Sequence, residues 1–232
     1  MSIPNKFLIS RLWWSQFPFH LRLITKIRFF ASFGAGGVIY LTSLIFNNFG
    51  FSATEIGLGF TTSAILGTLT RFFTGNYLNK ITKIHIPLVI SSLISIAAGF
   101  FLIISKDIYS YIIGQALIGA AAGIYWPTAE FFVPYFCHPI NTRKAYALVR
   151  SSEALGIFLG VFIGGFMNNF LYSKSIFIND IFCMLVITYL ISRNSSSINS
   201  NLENFQKKLV DPINKGQLKW NKNSTIIILS IL

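Results

Sequence analysis

Six long apolar stretches with few charged residues dominate this sequence: 29–48, 55–78, 86–104, 109–133, 146–171 and 175–192. Each comes close to, or exceeds, the roughly 20 residues that a helix needs to cross the hydrocarbon core of a bilayer. Only 11% of the residues are charged, whereas soluble domains average about 25%. The sequence therefore predicts an all-α, polytopic transmembrane helix bundle with six spans.

The basic residues fall mostly on one side of these spans. Sixteen of the 19 Lys and Arg residues lie before span one, between spans two and three, between spans four and five, at the start of span five (Arg150), or after span six. The opposite side receives only Lys106 and Lys174, and Arg71 lies within a span. Because basic residues concentrate in cytoplasmic segments of membrane proteins, we expect an integral, multi-pass protein of a plasma or inner membrane with its N-terminus in the cytoplasm.

The net charge of +12 follows the same topology. It favours contact with anionic lipid headgroups over nucleic-acid binding. We therefore expect the lipid bilayer as a partner and no nucleic acid. Two cysteines in different spans or loops belong to no spaced metal set, so we expect no metal site and no cofactor.

Composition changes divide the chain into four segments. Residues 1–28 combine basic and aromatic residues and are predicted to be a cytoplasmic lead-in at the membrane interface. Residues 29–192 hold the six spans, and residues 193–222, rich in Ser, Asn and Lys, are predicted to be a cytoplasmic linker. The apolar segment 223–232 is predicted to be the start of a seventh span, so we expect the chain to be a fragment or the product of a shortened gene.

Small residues recur at four-residue spacing on several spans. Such spacing places them on one helix face, where glycine lets two backbones approach closely. Tight packing in any helical membrane bundle would explain most of these stripes. The predicted packing positions are Gly67 and Gly75 on span two, Gly119 and Gly123 on span four, and Gly156, Gly160 and Gly164 on span five.

The positions of these glycines are more specific than general packing requires. The segment 75–83, Gly-Asn-Tyr-Leu-Asn-Lys-Ile-Thr-Lys, ends span two at a short basic loop. It resembles the signature loop of the major facilitator superfamily, Gly-x-x-x-Asp-Arg/Lys-x-Gly-Arg/Lys. Gly75, Lys80 and Lys83 match that pattern, whereas Asn79 replaces its Asp and Thr82 its second Gly.

Two further spans carry similar patterns. Gly119 and Gly123 resemble the Arg-x-x-x-Gly-x-x-x-Gly pattern of the family's fourth span, with Gln115 in place of the arginine. Gly160, Gly164 and Gly165 resemble the antiporter-type glycine motif of its fifth span without the proline.

The resemblance covers residues 27–192, which correspond to the first six-helix half of the family fold. It implies a secondary-active transporter of a small solute, which works by alternating access between two halves. It also implies that the glycine faces of spans two and five meet the second half. Transport would then require either a complementary C-terminal half or self-association, since alternating access needs two units that move against each other.

Charged and polar residues within spans are costly and call for an explanation. Arg71 either extends to the cytoplasmic surface or has a buried functional role. Glu130, Arg150 and Glu153 are expected near the cytoplasmic edge. A Glu130–Arg150 pair there would be either an interfacial salt bridge or a proton- or gate-linked pair. Gln115 is the most substrate-like group, and Asp180 is expected near interfacial water one turn into span six.

Two other functions compete with transport. An intramembrane enzyme is disfavoured because neither His-Glu-x-x-His nor Gly-x-Ser-x-Gly occurs and the three histidines are far apart in sequence, so we expect no catalytic residues and no enzyme. A six-helix remnant or assembly partner that does not transport remains the alternative.

Overall fold

Six long helices make up most of the described part of the chain. The computed structural model describes residues 13–78, 83, 85–170 and 174–214, except for the side chains of 169–170 and 201–214. Its helices are α1 (Phe19–Asn48), α2 (Ala53–Leu78), α3 (His85–Ile104), α4 (Ile108–Phe136), α5 (Thr142–Phe170) and α6 (Ser175–Asn214). No strand occurs among the described residues. The predicted all-helical class is confirmed.

Five of these helices are long and apolar enough to cross a membrane, judged by length and composition over the described residues. Helix α2 is not among them, although its 26 residues would extend about 39 Å. Six threonines, Glu55 and Arg71 lower its hydropathy. The six-span prediction is thus met by five helices on these criteria, and the span assigned to α2 stays a prediction.

The threonines of α2 nevertheless suit an apolar environment. In five of the six, the hydroxyl donates a hydrogen bond to the carbonyl oxygen four residues earlier on the same helix, at distances of 2.7–2.9 Å. A polar group with its own partner costs far less to remove from water than an unpaired one. The composition of α2 therefore underestimates how well this helix tolerates lipid. The five are Thr61, Thr62, Thr68, Thr70 and Thr74.

Two helices extend beyond the predicted spans. Helix α1 begins at Phe19, so the end of the predicted lead-in is helical. Helix α6 continues to Asn214, into the segment assigned to a linker. Buried Ile198 packs in the core, and hydrogen bonds join Ser197 to His20 and Asn199 to His85. These contacts tie the extension of α6 to the first turns of α1 and α3.

The helices pack mainly with partners that are distant in sequence. The most extensive packing joins α2 with α4, α1 with α5, α3 with α4, α3 with α6, and α1 with α6. The sequence neighbours α1 and α2 make few contacts, as do α5 and α6. Helices α2 and α5 are therefore the two peripheral helices, since each packs extensively on only one other helix.

This pattern maps onto itself when α1–α3 are exchanged with α4–α6. The pair α2–α4 becomes α5–α1, the pair α3–α4 becomes α6–α1, and α3–α6 is unchanged. Each half of a major facilitator fold contains two such three-helix repeats. The packing therefore has the internal repeat that the predicted fold requires.

Candidate functional site

Four charged side chains from three helices form one cluster. Nη2 of Arg28 on α1 lies 2.7 Å from Oε2 of Glu153 on α5 and 3.7 Å from Oε1 of Glu130 on α4. Arg150 on α5 pairs with Glu130, and its Nη1 lies 3.1 Å from Glu153 Oε2. Two cations and two anions thus share one network, which links α1, α4 and α5.

Exposure varies strongly across this charge cluster. The side chain of Arg28 is only 1% exposed, whereas those of Glu130 and Arg150 are 43% and 52% exposed. The guanidinium of Arg28 also lies over the ring of Trp126, 4.7 Å from its centroid. Arg28 is therefore the buried centre of the cluster, and Arg150 is its outer member.

Sequence analysis identified the pair of Glu130 with Arg150 and placed Glu153 beside it, and the structure brings all three together. It missed Arg28, which it counted among the cytoplasmic cations before the first span. The helix begins at Phe19, so Arg28 lies nine residues inside it. The available signal was Arg28's position directly next to the first apolar run.

A cavity of about 180 Å³ lies between α1, α2, α3, α4 and α6. Most of its lining is aliphatic, from alanines and larger apolar residues of these helices. Its polar and aromatic lining residues are Ser63, Ser91, Ser95, Tyr125, Trp126 and Asp180. Since ligand pockets are largely apolar with a few placed polar groups, this internal cavity is a candidate solute site.

Asp180 on α6 is the only acidic residue among the described residues that line this cavity. It is 4% exposed, so the expectation that it lies near interfacial water is wrong. Oδ2 accepts a hydrogen bond from the Ser95 hydroxyl at 3.2 Å, and Oδ1 has no hydrogen-bond partner among the described residues. The reason for its burial is that α6 packs on both α1 and α3 at this level, where Gly34 leaves room for the carboxylate.

The other polar residues predicted for a cavity or gate lie apart from the cluster. Arg71 is exposed on α2 and forms no ion pair within the described part of the chain. Gln115 is buried on α4, and its Nε2 has no hydrogen-bond partner there, yet it does not line the internal cavity. Among the described residues, no hydrogen bond or ion pair joins Arg71 or Gln115 to Asp180 or to the charge cluster.

The predicted signature loop lies partly outside the described residues. That applies to Asn79 and Lys80, whereas Lys83 is described and exposed. Gly75 lies in the last turn of α2, and a side chain added there would meet open space. The described part of this loop therefore offers two positions for contact with another segment.

The predicted packing glycines, apart from Gly75, lie at close helix contacts within the bundle, and Gly67 on α2 faces the backbone of Gly119 on α4. A methyl group on Gly119 would overlap the backbone of Ser63 on α2, and one on Gly123 would overlap Thr70. On α5, methyl groups on Gly156 and Gly160 would overlap the carbonyl oxygens of Phe29 and Phe33 of α1; Gly164 lies closest to Leu41 of α1. Apart from Gly75, these positions thus pack inside the six-helix unit, whereas the resemblance implies that the glycine faces of spans two and five meet a second half.

Comparison with known proteins agrees with this architecture. No curated protein matches the chain. A profile of the Major Facilitator Superfamily matches residues 27–231, which is most of the sequence. The match includes all five helices that are apolar enough to span a membrane, apart from the first residues of α1. Taken with its helical membrane fold, the match shows that this chain belongs to the major facilitator superfamily of membrane transporters.

Proposed function

We propose that the chain forms one six-helix unit of a secondary-active transporter that moves a small solute by alternating access. The observation that carries this proposal is the packing of α1–α3 and α4–α6 as two exchangeable repeats around an internal cavity. In transporters built this way, the solute site lies between repeats and the units rock around it. The cavity contacts five helices, so a change in their packing would change its access.

The charge cluster is proposed to act at the cytoplasmic end of this movement. The distribution of basic residues favours a cytoplasmic position for the start of α1 and of α5. Arg150 shares two carboxylates with Arg28, and Arg150 is half exposed. It can therefore leave the cluster for another partner while Arg28 stays paired with Glu153.

Alternating access requires a second unit, and α2 and α5 are the proposed contact helices. Each packs extensively on only one other helix. Their outer faces carry exposed phenylalanines, and α2 also carries exposed Arg71. Apolar side chains alone would suit lipid, but a charged residue facing hydrocarbon is costly. A second six-helix unit, either a complementary half or another copy, would cover Arg71.

The test is uptake by proteoliposomes at controlled copy number. The chain is reconstituted at fewer than one copy per vesicle, at several copies per vesicle, and as a tandem fusion to a second six-helix unit of the family. Vesicles are incubated with a pool of isotopically labelled small metabolites, and retained solutes are measured by mass spectrometry. Empty vesicles and the Gly160→Leu variant serve as controls.

We expect saturable uptake only in vesicles that hold more than one unit. Saturable uptake by a demonstrated monomer would contradict the requirement for a second unit. Absence of uptake in all three preparations, with intact helical content, would favour the alternative of a six-helix assembly partner that does not transport.

A further inference from the structure

The carboxylate of Asp180 lies inside the bundle without a cationic partner. No Lys or Arg side chain of the described residues forms an ion pair with it. The nearest contacts are Gly34 on α1 and Ser95 on α3. A buried carboxylate with one hydroxyl donor is poorly compensated, because burial of a charge is costly unless it is paired.

The cations closest along the two helices are already engaged. Arg28 precedes Gly34 by six residues, about 9 Å along α1, and binds Glu153 and Glu130. Lys174, the residue directly before α6, precedes Asp180 by the same number of residues, and its Nζ donates to the carbonyl oxygens of Ile103 and Ser105 at 3.0 and 2.5 Å. Cys183, one turn from Asp180 on α6, carries no positive charge to offer. A positive partner for Asp180 must therefore come from outside this set.

The space beside Asp180 can hold more than a small ion. The internal cavity has a volume of about 180 Å³, and Tyr125 and Trp126 line it together with aliphatic side chains. An apolar cavity of about 150 Å³ is large enough to bind benzene. The lining thus combines one unpaired acidic group with an apolar and aromatic wall.

We propose that this internal cavity binds a small organic cation: an ammonium group against Asp180 and Ser95, and an apolar body against Tyr125 and Trp126. The ammonium would pair with the carboxylate of Asp180, which lines the cavity and accepts only the Ser95 hydroxyl among the described residues. The apolar body would fill the remaining space. This inference rests on the proposed function, since it names the solute class, but binding is measurable without transport.

The experiment compares three probes of nearly equal shape and different charge: benzylammonium, benzyl alcohol and benzoate. Their binding to the full chain in detergent micelles is measured by calorimetric titration. The variant Asp180→Asn removes the charge at almost constant volume. The variant Asp107→Asn makes the same change at an exposed carboxylate outside the cavity and serves as the matched control. Partitioning into the micelle is common to all three proteins and is subtracted.

We expect wild type and Asp107→Asn to bind benzylammonium more tightly than benzyl alcohol and to bind benzoate least. Asp180→Asn should weaken benzylammonium binding about tenfold or more, because charge-assisted hydrogen bonds are stronger than neutral ones. It should leave benzyl alcohol binding almost unchanged.

Equal binding of benzylammonium and benzyl alcohol by wild type would overturn the proposal and would indicate a neutral, protonated Asp180. That comparison needs no variant, so it holds even if Asp180→Asn fails to fold. Benzylammonium binding without uptake in any vesicle preparation would leave this inference standing and count against transport. Uptake of other solutes without benzylammonium binding would support transport and count against the organic-cation site.

Discussion

Arg28 shows how one residue can be decisive and still be hidden in the sequence. Its neighbours Lys26 and Arg22 belong to the same basic segment, and composition alone gives no reason to separate them. Only the packing of α1 against α5 brings Glu153 within 2.7 Å of its guanidinium. Glu130, Arg150 and Glu153 could be predicted from their common depth, whereas Arg28 and Asp180 depended on which helices meet.

Loss of Arg28 should destabilise the protein severely. Arg28→Met would leave Glu153 and Glu130 with only the half-exposed Arg150, and breaking a buried pair costs roughly 3–5 kcal/mol. We expect a clear fall in the melting temperature in detergent. The double variant Arg28→Met/Glu153→Gln should recover part of it, because the unpaired carboxylate is gone.

Arg193→Met provides the control for Arg28, since Arg193 is exposed and bonds only the hydroxyl of Tyr189 among the described residues. It should melt close to wild type. A double variant as unstable as the single one would show that packing against Trp126, rather than charge compensation, explains the effect.

Asp107 should make stability depend on pH in the acid range. Its carboxylate caps α4 by accepting from the backbone of Tyr109 and Ser110. A hydrogen bond from the Ser110 hydroxyl, in particular, holds the pKa of Asp107 below its ordinary value of 3.8. The lowered pKa means that the cap stabilises fully above 3.8 and is lost as pH falls through the folded-state value.

Asp107→Ala should therefore melt lower than wild type at neutral pH, with the difference shrinking in acid. Asp107→Asn should keep the cap, because Asn is an equally good N-cap residue, and should not show this titration. Equal losses in the Ala and Asn variants would contradict capping as the cause.

At the scale of helices, their existence was predictable and their partners were not. Apolar runs bounded by cations predicted six helices, because the thickness of the bilayer fixes the length of each run. The start of α1 and the end of α6 extend beyond those runs. A helix can continue there because side chains such as Ile198 pack in the core. The glycine stripes identified close contacts, but spacing on one helix carries no information about which helix lies opposite.

The contact of α5 with α1 should be sensitive to side-chain volume at one face only. A side chain at Gly160 would overlap the backbone of Phe33, whereas one at Gly165 would meet open space. Gly160→Leu should therefore separate the helices and lower the melting temperature by several degrees or more. Gly165→Leu gains the same helix propensity on the same helix and should melt at or above wild type. Equal behaviour of the two variants would count against close packing at Gly160.

For the whole molecule, the number of membrane spans determines on which side of the membrane each end of the bundle lies. The basic residues predict a cytoplasmic N-terminus and six spans, while α2 is less apolar than the other helices. Phe49 follows α1, and Ser196 lies on the extension of α6; both are exposed. Six spans place these residues on opposite sides of the membrane, and five spans place them on the same side.

Single cysteines at Phe49 or Ser196 should thus label from opposite sides with an impermeant maleimide. The background carries Cys137→Ala and Cys183→Ala, both of which replace buried thiols. We expect the cysteine at 49 to react in intact cells and the one at 196 only after permeabilisation. Reaction of both in intact cells would contradict the six-span topology.

The pairing of Arg28 with Glu153 also sets an order of events during synthesis. The two residues are 125 positions apart, and at about 5–20 residues per second the ribosome needs roughly 6–25 s to make the intervening chain. During that delay α1 has no glutamate for its arginine and no α5 to cover Gly36. Helix α1 must therefore remain at the membrane surface or beside the insertion machinery until α5 has been made and Glu153 can pair with Arg28.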